Sequence, residues 1–176
     1  MEIIFCRAIC QRERLSQCLV CAVNSGRIVQ IRDAERSEGR TIKRMVRRNR
    51  LNPQKLHWYR FSVACNADGR IIGIGQLKHH RGGIVELASI AVERGYRKRG
   101  IASLIIRYLI RRESGDLWLT CRSTMVDFYI RYGFHEIRAR EDFPREYRAI
   151  GRISSVLRMF GRDHVSLMVL NKSEQR

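Results

Sequence analysis

The residues best placed to do chemistry in this chain lie in one short loop. Arg97-Lys98-Arg99-Gly100 follows an apolar run ending at Val92 and precedes a strongly apolar, helix-patterned segment, 101–112. Such a strand–basic loop–helix unit suits an anion. The first N–H groups of a helix lack an intrahelical acceptor, and the helix dipole is positive there. Gly100 and Ala102 lack bulk, so a phosphate can approach the backbone. Arg97 and Arg99 add charge that suits a pyrophosphate. An ordinary loop with solvated cations has the same composition. His79 and His80 end an apolar run, and imidazole is the common proton acceptor near neutrality.

The six cysteines offer a second chemistry. Cys6, Cys10, Cys18 and Cys21 follow a C-x3-C-x7-C-x2-C spacing. That matches no common zinc pattern, and no histidine lies nearby, so we expect no metal. Cys65 and Cys121 sit in apolar runs and read as small buried hydrophobes. Arg7, Arg12, Glu13 and Arg14 interrupt any signal-like apolar stretch. Reduced thiols and a cytoplasmic setting are the expectation.

These residues need a scaffold, and 176 residues make one domain. An apolar fraction of 44% with 30% charged residues excludes wholesale disorder. No run approaches the roughly 18 apolar residues of a membrane span, so no membrane association is expected. The formal net charge of +18 is concentrated in 27–56, 94–112 and 138–162. Such patches attract anions, nucleic acid among them.

Residues 1–25 read as an N-terminal extension of unknown role, and 26–172 as the domain proper. Strands are expected at 27–32, 57–65, 70–78, 84–92, 116–121, 134–138 and 164–170, with turns at Asp68-Gly69 and Gly82-Gly83. Helices are expected within 34–50, with Ile42, Met45 and Val46 on one face, and over 101–112 and 124–132. A basic insertion, 139–163, reads as helical from Arg145 to Phe160. Strands first, then strands alternating with helices, give a mixed α/β class with a largely antiparallel sheet.

Arg97-x-x-Gly100-x-Ala102, directly after Leu87-Ala88-Ser89-Ile90-Ala91-Val92, resembles the acyl-CoA pyrophosphate motif of the GNAT superfamily of N-acetyltransferases. Phe128-Tyr129-x-x-x-Gly133-Phe134 resembles that family's second signature, and the order and spacing of the two also fit. The resemblance covers roughly residues 27–170. It implies a mixed, mostly antiparallel, twisted sheet of six or seven strands flanked by helices, with acetyl-CoA as co-substrate. It implies transfer of an acetyl group to a primary amine by direct attack in a ternary complex.

By the same resemblance, Ile90, Ala91 and Val92 offer main-chain contacts to the pantetheine arm. Arg97, Lys98, Arg99, Gly100, Ile101 and Ala102 wrap the pyrophosphate, and Ser103 adds a hydroxyl. Tyr129 matches the tyrosine that protonates the leaving sulfur, a task suited to a neutral phenol. Glu86 sits where some members place a general base, on a strand where partial burial makes a carboxylate a better proton acceptor. Many members carry Asn where this chain has Arg122, so Arg122, with His79, is a candidate for the acceptor side.

Arg40, Lys43, Arg44, Arg47, Arg48 and Arg50 cluster on one predicted helix, which suggests an acidic or RNA-associated acceptor. A solvated helix face is the plainer reading. The apolar stripe of 139–163 fits a lid or a homodimer contact. Two other functions remain open: a non-enzymatic nucleic-acid-binding module, and an acyl-CoA sensor of the same fold.

Overall fold

The structure is a computed structural model that describes residues 20–24, 27–138, 143–147 and 165–172. It divides into two compact units, Met1–Leu77 with Ser89–Arg112, and Lys78–Ala88 with Glu113–Arg176.

The first unit is built on antiparallel strands β1 (Val20–Asn24), β2 (Arg27–Asp33), β3 (Phe61–Cys65) and most of β4 (Ile71–His79), hydrogen-bonded in that order. Helix α1 (Gly39–Arg48) lies between β2 and β3 in sequence. Its Ile42, Met45 and Val46 are buried with Phe61, Val63, Cys65, Ile71 and Ile74, as the apolar spacing predicts. The opposite face of β4 takes helix α2 (Ile101–Arg112). This contact depends on two glycines. A Cβ on Gly73 would meet Ile105 Cδ1 at 2.8 Å, and one on Gly75 would meet Ile105 Cγ2 at 2.6 Å and Ile90 Cδ1 at 2.7 Å. At its far end Arg112 Nη1 contacts Asp33 Oδ1 and donates to Ser62 Oγ at 3.0 Å, which ties α2 to β2 and β3.

The second unit holds the end of β4, the first half of β5 (Val85–Val92), β6 (Leu117–Arg122), helix α3 (Val126–Ile130), β7 (His135–Ile137) and β8 (Val165–Leu170). β5 and β6 run parallel, with Val85 opposite Leu117 and Glu86 opposite Trp118. β6–β8 and β8–β7 are antiparallel. Phe143, Tyr147 and Leu167 form a small core against Ile84, Trp118 and Ile137. The mixed α/β class, with helices on a mostly antiparallel sheet, is as expected.

Two local expectations are corrected. The β-rich run 57–65 is extended only from Phe61, because Trp58–Arg60 forms a tight turn in which Arg60 N donates to His57 O at 3.0 Å. Its aromatic residues pack on each other, His57 against Tyr59 and Trp58 against Tyr59, and the latter two stay exposed. The end of the segment read as an extension is strand β1, added to the seven expected strands. Cys6, Cys10 and Cys18, and nearly all of the insertion, lie outside the described residues.

Candidate active site

The first unit carries the loop that the sequence offers as an anion site. Midway along β5, Ser89 adopts φ 55, a left-handed conformation rare for a residue with a side chain. Fully buried Gln76 holds it, donating from Nε2 to Ser89 Oγ at 2.7 Å. Such a break interrupts a strand ladder, and Ile90, Ala91 and Val92 follow it. Beyond Val92, Glu93 N donates to Ile72 O at 2.8 Å and fixes where the loop leaves the sheet. Lys98 (φ 60) and Gly100 (φ 73) are both left-handed, and α2 begins at Ile101. Left-handed residues directly before a helix turn backbone N–H groups into a concave anion nest. Lys98, Arg99 and Gly100 are exposed, Ala102 and Ser103 half-buried, and Ile101 is buried in the core.

Arg97 is held in place. Its Nε donates to Val92 O at 3.0 Å and its Nη2 to Asn49 Oδ1 at 2.7 Å. The guanidinium thus braces the loop against the end of β5 and the end of α1. Asn49 was not singled out from the sequence, since nothing local links it to a residue 48 positions away.

The second unit carries Glu86. Its Oε2 lies 2.8 Å from His80 Nε2, and the two side chains are only 14% and 18% exposed. Tyr147 packs beside the His80 ring (6.0 Å between centroids) and against Trp118 (6.2 Å). His79, the histidine expected on the acceptor side, is exposed, and it is His80 that meets Glu86. A signal for this was present. Once Arg81–Gly83 is a turn and His80 N donates to Ile84 O at 2.8 Å, residues 80 and 86 become diagonal neighbours on one face.

Tyr129 sits on α3, its ring edge-on to Phe128 (5.2 Å) and Phe134 (6.1 Å). Burial pushes its hydroxyl up to about 12, with the Cys121 and Tyr132 side chains adding to the shift. It is therefore a neutral proton donor throughout the neutral range. The Cys121 thiol is likewise pushed up to about 11, chiefly by burial. Arg122 is exposed at the end of β6. Among the described residues no group of three or more His, Cys, Asp or Glu side chains could hold a metal, and no helix is long and apolar enough to cross a membrane.

Residues 53–136 match the family model of the acetyltransferase (GNAT) domain. The match covers just under half of the chain, and the fold agrees with it: this region is similar to a GNAT acetyltransferase domain. No curated protein sequence matches the chain. Among solved structures it is similar to N-acetylglutamate synthase from Neisseria gonorrhoeae complexed with coenzyme A and N-acetyl-glutamate. That likeness has a TM-score of 0.60 and 19% identity over 81% of this chain and 35% of the synthase. It is also similar to Rv2747 from Mycobacterium tuberculosis in complex with CoA, with a TM-score of 0.61 and 21% identity over 80% of this chain and 98% of the other. A third likeness is to the ribosomal-protein-S18-alanine N-acetyltransferase from Escherichia coli, at 0.57 and 18% over 81% and 93%. The chain spans about a third of the length of the Neisseria synthase. At these identities the likenesses establish the fold.

Proposed function

We propose that the protein is an N-acetyltransferase that passes the acetyl group of acetyl-CoA directly to a primary amine of a bound acceptor. The observation that carries this reading is the loop built within the matched region, left-handed at Lys98 and Gly100 and opening straight into α2. Its backbone and its exposed Lys98 and Arg99 suit the diphosphate of CoA, with Arg97 as the brace that holds the loop in shape. Acetyl-CoA would supply the thioester carbon.

The remaining chemistry falls to the chain. Glu86, oriented by His80, accepts the proton that the amine must lose as its nitrogen bonds to the acetyl carbon. Tyr129 gives its phenolic proton to the sulfur as the C–S bond breaks. The proton gained at Glu86 and the one lost at Tyr129 are equalised through solvent, leaving amide and free thiol. Free Cys65 and Cys121 support a reducing, cytoplasmic setting. The cations of α1 support an acceptor that is acidic or carried on RNA.

The test is calorimetric titration of acetyl-CoA into the full chain, followed by an amine screen that reads thiol release. Saturable binding that Arg97→Glu abolishes, with thiol release on addition of an acceptor, is the expected result. Absence of binding would overturn the reading. A chain that binds acetyl-CoA, yet releases no thiol with any amine and binds equally well as Tyr129→Phe, is a sensor.

A further inference from the structure

The outer face of α1 contributes no group to the proton and acyl transfers above. The helix carries Arg40, Lys43, Arg44, Arg47 and Arg48, with no acidic residue among its ten, and Arg50 follows. All six cations are exposed. Positions 40, 43, 44, 47 and 48 recur at three- and four-residue spacing, so they form one stripe about 12 Å long at 1.5 Å per residue. Ile42, Met45 and Val46 occupy the other side and are at most 2% exposed.

Beside the stripe lies a cleft of about 520 Å³ in the same unit. Arg44 and Arg48 of α1 and Arg70 of the β3–β4 turn line it, together with the hydroxyls of Ser37 and Thr41. Two carboxylates also border it. Glu38 is already paired, accepting two hydrogen bonds from the Arg32 guanidinium at 2.7 and 2.9 Å. Glu93 is outnumbered by the three arginines. Guanidinium forks and hydroxyls are the groups that grip phosphodiester oxygens.

We infer that this face of α1, with its cleft, is a docking surface for the phosphodiester backbone of a nucleic acid. The charge pattern selects this partner over an acidic membrane. A helix that binds a lipid surface inserts apolar side chains, and every large apolar residue of α1 is turned into the core. A linear stripe of cations is matched by a linear array of phosphates. The contact reads charge and no base sequence. The inference stands apart from the transferase reading, because it needs neither acetyl-CoA nor turnover.

The experiment measures fluorescence anisotropy of a labelled single-stranded RNA titrated with the full chain, from about 50 to about 200 mM salt. Two charge-matched triple variants are compared, Lys43→Gln/Arg44→Gln/Arg47→Gln on α1 and Arg81→Gln/Arg111→Gln/Arg138→Gln elsewhere. Far-UV circular dichroism confirms that both fold. With each phosphate contact contributing about 0.7 to the salt slope, the α1 variant should lower the slope by about 2 and weaken binding about tenfold or more. The matched variant should bind like the parent chain. Equal loss in both variants would overturn the proposal, since net charge alone would then be acting. So would absence of binding at low salt, or equal competition by polyglutamate or by phosphatidylserine vesicles.

Discussion

Arg97 and Asn49, 48 residues apart in sequence, are joined by a 2.7 Å hydrogen bond that ties the end of α1 to the loop before α2. Asn49 serves both sides. Its Nδ2 donates to Met45 O at 2.8 Å, closing the helix, while its Oδ1 accepts from Arg97. Removing it should loosen the loop and leave the sheet intact. Asn49→Ala is expected to weaken acetyl-CoA binding three- to tenfold, about 1 kcal/mol, because only part of the lost brace hydrogen bond is felt at the loop. Asn49→Asp keeps the acceptor and should retain affinity. Calorimetric titration distinguishes the two. An unchanged affinity in Asn49→Ala would mean that the brace does not shape the cofactor loop.

Tyr129→Phe should lower kcat by about a hundredfold or more, the usual contribution of a positioned proton donor, while leaving acetyl-CoA affinity unchanged. An undiminished kcat would remove Tyr129 from the reaction.

Tyr129 and Cys121 also set an alkaline limit. Burial raises both groups, from 10.0 to about 12 and from 9.0 to about 11. In the unfolded chain they ionise first, so above about pH 9 the unfolded state has released protons that the folded state keeps. Stability should be undiminished below that point and fall as pH rises through 11 and 12. Tyr129→Phe and Cys121→Ser should each move the alkaline unfolding midpoint upward, as followed by circular dichroism. At neutral pH Cys121 is a thiol, and its alkylation by iodoacetamide should be slow.

Gly75 is required because α2 comes so near. Gly75→Ala places a methyl 2.6 Å from Ile105 and 2.7 Å from Ile90, inside any tolerable contact. Overpacking of this kind costs about 1–3 kcal/mol. Ile90→Val in the same chain removes the Cδ1 that the methyl would meet and should recover part of the loss. Denaturant titration of the single and double variants tests the pair, and additive losses would show that the clash lies elsewhere.

In the proposed reaction the His80–Glu86 pair divides one task. Glu86→Gln should lower kcat about a hundredfold. His80→Gln should cost less, because the carboxylate remains but loses its orientation. If His80→Gln proves the more damaging, the imidazole is the proton acceptor and Glu86 its positioning residue. The pH profile of kcat/KM in each variant identifies which group carries the acidic limb.

Most of the fold was legible because its signals are local. The helix pattern of 101–112 needs only its own apolar spacing, and Asp68-Gly69 announces its own turn, closed by Gly69 N donating to Asn66 O at 3.0 Å. The turn of the chain at Arg97–Gly100 into α2 was legible for the same reason. What escaped depends on distant partners. Arg97 has the composition of a phosphate ligand, and only the tertiary structure reveals that Asn49 and Val92 O take two of its donors. Trp58-Tyr59 has the composition of a strand, yet the chain turns there, with Arg60 N donating to His57 O. The choice of His80 over His79 required knowing that the hairpin closes at Ile84.

The two sides of α1 have different tolerances to change. Ile42, Met45, Val46 and the capping Asn49 are fixed by what they touch. The outward cations touch solvent and add little beyond good helix propensity. Their identities can drift, or be redesigned wholesale, without disturbing the sheet or the loop beyond it. This helix is a natural place to retarget the protein: a new partner written on its outer surface would meet an unaltered sheet and loop.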